Sequence, residues 1–248
     1  MTTIVWFRQD LRLADNPALS HAVSAGPIVP IYILDDTIIR PLGGASKWWL
    51  HHSLTAIQTR LDGLIFRRGQ PLSILIELVQ ISDATAVYWN RRYDLDSINE
   101  DKKIKRKLES ININVRTFNA SLLNEPWQIS TKSGTPFKVF TPYWKAACAQ
   151  TPTEPLPLPL IRPSSVSKID TSENLSDWNL TPSKPNWAAE WTNYWEPGEL
   201  GAQTRLHDFL NSQLDGYGQL RDRPDLQATS RLSAHLHFGE ISPRQILR

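Results

Sequence analysis

The sequence predicts an α/β fold: a Rossmann-like parallel β-sheet with helices on both faces, then a long connector and the start of an all-helical region. Three observations predict it. Up to about residue 120, short apolar runs alternate with amphipathic stretches. Prolines then crowd residues 152–185. Beyond them, leucines and a phenylalanine return at helical spacing.

The strand candidates are TIVWFR from Thr3, IVPIYIL from Ile28, LIFRRG from Leu64, AVYWN from Ala86 and NVRTF from Asn114. Each is short and rich in β-branched or aromatic residues. Helices are predicted between them. Pro17–Ala25 is capped by Asn16 and has Pro17 in its first position, where a missing N–H costs no hydrogen bond. Ser46–Leu61, Pro71–Gln80 and Leu95–Ser110 follow. Within the last, DKKIKRKLE carries the charge expected of a solvated helix face. His51 and His52 fit ordinary packing plus a surface imidazole.

Prolines at 152, 155, 157, 159, 163, 182 and 185 exclude regular elements and predict a semi-rigid, extended connector. Trp187, Trp191 and Trp195 fall at i, i+4 and i+8, the stripe of a connector helix buried against the body. In AQTRLHDFLNSQL, Leu206, Phe209, Leu210 and Leu214 mark an amphipathic helix. The expected organisation is an α/β domain at 1–130, a connector at 131–197 and the start of a helical domain at 198–248. Ser242, Pro243 and Gln245 read as a capped helix start, and only six residues follow the cap. The expectation is a piece of a longer protein.

Composition narrows the class. In 248 residues, 40% hydrophobic and 21% charged content fits a globular protein, and a net charge of +2 permits nucleic acid without arguing for it. A single cysteine forms no internal disulfide, and no Cys/His cluster has metal spacing. The N-terminal stretch lacks a signal-peptide pattern and no apolar run is long enough for a membrane span, so a cytoplasmic protein is expected, and a monomer is the expected state. No nucleophile–base pair or paired-carboxylate pattern is readable.

Chemistry gathers near the end of the chain. Thr229, Ser230, Arg231, Leu232 and Ser233 place hydroxyls, backbone N–H groups and a guanidinium ahead of a helical stretch. A phosphate or pyrophosphate fits such a surface, and so does a plain helix cap beside a solvated arginine.

The run DGYGQLRDRPDLQATSRLS, with HFGEISPRQ after it, closely resembles the photolyase/cryptochrome family of blue-light flavoproteins. WFRQDLRLADNPAL, PLGGASKWWLHHSL, FKVFTPYW and WEPGELGA resemble that family's signatures, in the family's order, from residue 4 to the end. The resemblance implies that the α/β domain houses an antenna chromophore and that the helical region begins an FAD-binding domain. It implies FAD contacts, chiefly around the phosphates, at Tyr217, Thr229, Ser230, Arg231, Leu232 and Ser233, and a DNA contact at Arg221. Arg223 and Arg244 are expected to be exposed arginines with no partner.

The activity implied is that of a deoxyribodipyrimidine photo-lyase. Reduced, light-excited FAD gives an electron to a cyclobutane pyrimidine dimer flipped out of damaged DNA. The alternative implied is a cryptochrome-type photoreceptor that signals through a partner. No catalytic residue is expected within these 248, because the adenine and isoalloxazine pockets and the electron-relay tryptophans would follow Arg248. For the antenna, methenyltetrahydrofolate or a deazaflavin, the candidate contacts are Asp10, Asp35 and Lys47. One pattern departs: folate-binding members carry an adjacent Asn-Glu pair where Asp96-Ser97 stands here, and Asn99-Glu100 lies three residues further on.

Overall fold

The structure, a computed structural model, describes residues 1–37, 41–161 and 171–248. Five strands form one sheet: β1 (Thr3–Phe7), β2 (Ile28–Leu34), β3 (Ile65–Arg68), β4 (Ala86–Asn90) and β5 (Asn114–Phe118). Their order is β3-β2-β1-β4-β5, and every neighbouring pair is parallel. Each crossover is a helix: α1 (Pro17–Ala25), α2 (Gly44–Arg60), α3 (Pro71–Ser82) and α4 (Leu95–Glu109).

Strand alternation sorts the core into two layers. Val5 and Phe7 face one side, where α1 and α2 bury Leu19, Leu50 and Leu54. Ile4 and Trp6 face the other, where α3 and α4 bury Leu75, Leu78 and Leu108. A sheet covered on both faces needs strands that are apolar throughout, and β1 and β4 are buried at every residue.

The caps follow the residues that make them. Asn16 accepts from the Leu19 N–H at 3.1 Å and Asp94 from the Ser97 N–H at 2.9 Å. Four helix boundaries move relative to the sequence expectation: α2 starts at Gly44 and ends at Arg60, α3 runs on to Ser82 and α4 stops at Glu109.

Beyond β5 the described residues contain α5 (Phe140–Cys148), α6 (Glu199–Ser212), α7 (Tyr217–Leu220), α8 (Ser233–Phe238) and α9 (Pro243–Leu247). The α5 helix was not anticipated, and none of its residues is buried. Residues 162–170 of the proline-rich connector, Pro163 included, lie outside the described residues. The expected connector helix across Trp187–Trp195 is instead a run of turns with one 3-10 turn at Trp191–Asn193. Burial is achieved all the same. Trp191 packs edge-on against Trp48 at 5.3 Å between ring centres and Trp195 against Trp49 at 5.4 Å, while Trp187 stays half exposed. Aromatic packing holds this segment without requiring helical spacing.

The loop leaving β1 fastens the C-terminal helices to the sheet. Arg12, buried, donates to the carbonyls of Asp15, Ala120 and Gly239. Glu199 at the start of α6 accepts from the N–H groups of Leu13 and Ala14, each at 3.0 Å, and pairs with Arg60. Arg244, expected to be exposed, is instead largely buried and donates to Asp15 at 3.0 Å. Its place in this seam is the reason, since Asp15 also accepts from the Ser242 hydroxyl. Ser242 and Gln245 form the reciprocal capping box their spacing predicts.

Candidate functional site

Two concavities concentrate the predicted residues. The first, of about 260 Å³, opens at the carboxyl ends of β1, β2 and β3, where doubly wound sheets place their ligands. Trp6, Tyr32 and Trp178 give it aromatic walls, and Asp35, Lys47 and Glu100 give it a charged rim. Asp35 accepts from the Thr37 N–H at 2.7 Å, which fixes the turn after β2. Burial, and then repulsion from Asp35, raises the Glu100 carboxyl above its ordinary range, while Arg92 opposes the shift. Arg92 pairs with Glu100 at 3.2 Å. Aromatic walls with a few convergent polar groups suit a planar ring with a polar edge.

The structure brings Asp35 and Lys47 together here and leaves Asp10 out. Asp10 is buried, accepting from the Arg8 N–H at 2.6 Å and from the Asn90 amide at 2.5 Å. It lines a neighbouring hollow of about 180 Å³ instead. An aspartate at a strand end was a reasonable ligand candidate, but its oxygens are engaged in shaping the loop after β1. Of the Asn99-Glu100 pair, Glu100 reaches the cavity and Asn99 is exposed.

The second concavity, of about 240 Å³, lies between α6 and the loop before α8. Thr229, Ser230 and Arg231 line it. Leu232 turns inward to pack with Ala202 and Ile241, and Ser233 begins α8 as an exposed residue. Tyr217 stands on α7 outside the cleft lining, packed edge-on against Phe209 at 5.7 Å. Arg221 is exposed, its guanidinium 5.9 Å from the Tyr217 ring centre and 3.7 Å from Asp222. Arg223 is exposed and paired with Asp225 at 2.7 Å.

Two features distinguish Arg231. Its φ of +50° places a non-glycine residue in the left-handed region, at a cost on the order of 1 kcal/mol. Among the described residues it makes no hydrogen bond or ion pair. Such strain is retained where surrounding structure imposes it, commonly at ligand clamps.

Sequence reasoning missed four residues. Arg205 of α6 lines the same cleft as Arg231. Glu199 and the buried pair His235 and Glu240 lock the site-bearing helices to the sheet. Glu240 accepts from the Trp49 indole at 2.9 Å and from His235. No local pattern signals them, because their partners lie up to 191 residues away.

A family model described as DNA photolyase matches residues 3–160. The chain belongs to the DNA photolyase family. A deoxyribodipyrimidine photo-lyase of Agrobacterium fabrum is 45% identical, over 98% of this chain and 52% of its own length. Cryptochrome-1 of Arabidopsis thaliana is 35% identical, over 98% of this chain and 37% of its own. The crystal structure of a bacterial class III photolyase from Agrobacterium tumefaciens superposes with a TM-score of 0.90 at 45% identity, covering 99% of this chain and 52% of that one. The five-stranded sheet and its helices are the N-terminal α/β domain of the photolyase family. This photolyase-family chain spans about half the length of the photo-lyase it matches. Among its described residues, no helix is long and apolar enough to cross a membrane and no metal-ligating cluster is found.

Proposed function

We propose that this chain forms the antenna domain, connector and first flavin contacts of a deoxyribodipyrimidine photo-lyase that repairs cyclobutane pyrimidine dimers in DNA. In this reading residues 1–130 are the antenna domain, 131–197 the connector and 198–248 the beginning of the FAD-binding domain. The observation that carries it is the cleft of Thr229, Ser230 and Arg231, where a guanidinium without a partner among the described residues stands beside two hydroxyls in a strained turn.

The donor set fits a diphosphate. Arginine offers a planar fork to phosphate oxygens, and the hydroxyls of Thr229 and Ser230 donate where the backbone turns into α8. Leu232 fixes that turn by packing on Ala202 and Ile241, so the donors are held before a ligand arrives. Tyr217 and Ser233 flank the cleft and complete the expected contacts, and Arg221, exposed beside Asp222, would meet a DNA phosphate. Reduced FAD, when bound, supplies the photochemical electron. The residues present here bind, orient and balance charge.

The first cavity fits an antenna. Trp6, Tyr32 and Trp178 would cover the ring of a folate or deazaflavin, and Glu100, Asp35 and Lys47 would meet its polar edge.

A second reading, a blue-light photoreceptor, is favoured by the 35% identity to Cryptochrome-1. The two separate in one assay on the full-length parent protein. With FAD reduced and blue light supplied, dimers in ultraviolet-irradiated DNA are expected to be split, and Arg221→Ala is expected to weaken binding of the damaged DNA. Flavin bound without any light-dependent loss of dimers would move the assignment to the photoreceptor.

A further inference from the structure

We infer that Arg205 is the second cation of a two-arginine diphosphate clamp, closing on the ligand from α6 while Arg231 closes from the loop before α8. The inference deepens the flavin reading of the same cleft and rests on it.

Arg205 is held in place by its surroundings. Its guanidinium carbon lies 4.8 Å from the centre of the Trp195 ring, and one terminal nitrogen donates to the Tyr194 carbonyl at 2.9 Å. Trp195 is itself immobilised against Trp49, which is buried in the sheet-side core. The stacking and the carbonyl bond leave other N–H donors of the fork directed elsewhere, and the residue lines the cleft with Thr204, Thr229, Ser230 and Arg231. Neither arginine forms a carboxylate ion pair among the described residues.

Such an arrangement is unfavourable while the cleft holds no anion. Partial burial is the leading cause that makes the Arg205 guanidinium a weaker base than usual, Arg231 adds repulsion, and Asp208 only partly offsets them. Two like charges kept facing one cleft, one of them half-buried and one on a strained backbone, favour an anion that spans both. A single phosphate can be held by one fork. A diphosphate presents oxygens on two phosphorus atoms and uses both. Glu196 and Asp208 also line the cleft, which limits the negative charge it can take and favours a compact diphosphate bridge over a long polyanion.

The test titrates inorganic pyrophosphate into the 248-residue chain by calorimetry, with FAD and single-stranded DNA as competitors. Pyrophosphate is expected to bind, more weakly as salt rises, and to be displaced by FAD. Removing one charged fork should weaken it about tenfold to a hundredfold. Arg205→Gln keeps the stem on Trp195 and removes the charge, so it separates lost binding from lost folding; an unchanged near-ultraviolet spectrum confirms the fold. Arg205→Lys should recover part of the affinity.

The outcomes are distinct. Pyrophosphate affinity lost in Arg231→Ala but intact in Arg205→Gln overturns the clamp and leaves the flavin reading standing. Loss in both variants with no competition from FAD supports the clamp and overturns the flavin reading. Failure of the unaltered chain to bind pyrophosphate overturns the clamp, as does displacement by DNA in place of FAD.

Discussion

Gly239 shows how a single position couples the two ends of the chain. It caps α8 with φ +68°, a conformation that carries little strain only without a side chain. A Cβ placed there would sit 2.1 Å from the Gln9 carbonyl oxygen and 2.5 Å from the Asp10 Cα. Both are backbone atoms of the loop after β1, whose Leu11 N–H also donates to the Phe238 carbonyl. Gly239→Ala is therefore expected to lose about 2–4 kcal/mol, from left-handed strain plus overpacking. Urea denaturation reads it as a lower midpoint at similar slope. A midpoint unchanged from that of the parent chain would mean that α8 is not rigidly docked on this loop. At the same scale, the Asp10 carboxylate accepts from the Arg8 N–H and the Asn90 amide and so shapes the loop after β1.

Among the elements, capping separates helices that stabilise themselves from those that anchor the fold. Asn16 caps α1 and is fully buried; its amide donates to the carbonyls of Asp10 and Arg12, and its oxygen also accepts from Asn90 at 2.8 Å. Asp94 caps α4 at an exposed position. Asn16→Ala should cost about 2–4 kcal/mol, since it leaves several buried groups unpaired, and Asp94→Ala about 1 kcal/mol. Thermal unfolding of the two variants checks the ranking; equal losses would show that the Asn16 network contributes no more than an ordinary cap. All five strands and the four crossover helices were legible in the sequence because each is a local pattern: an apolar run, or a cap followed by a 3.6-residue stripe. What stayed illegible has non-local causes. The α5 helix buries none of its own residues, and the Trp187–Trp195 segment is packed by Trp48 and Trp49, so helical spacing misled there. Within the site, Thr229–Ser233 was visible as a motif, whereas Arg205 became visible only once Trp195 and Arg231 were seen beside it.

For the whole molecule, three histidines set the direction of its pH response. His51 and His52 on α2 are weaker bases than usual because they are partly buried, and His52 is further disfavoured as a cation by His51. His21, stacked on Phe118 at 4.7 Å, is lowered by burial and then by Arg116. A depressed histidine favours the neutral form when folded, so the unfolded chain takes up protons first as pH falls through the ordinary value of 6.5. Stability from these groups is present above that pH and is lost progressively below it. The Glu77 and Asp225 carboxyls, each lowered first by an arginine hydrogen bond, add a further loss only at more acid pH, below their ordinary values of 4.5 and 3.8. Glu100 acts in the opposite sense. Its raised proton affinity gives the folded state the extra proton above 4.5, which stabilises the fold as pH falls toward that value. The melting temperature is therefore expected to decline between about pH 7 and pH 5.5, with histidines as the cause. His51→Gln/His52→Gln should flatten that part of the profile while leaving the loss at lower pH in place. An identical slope in the double variant would assign the decline to groups outside α2.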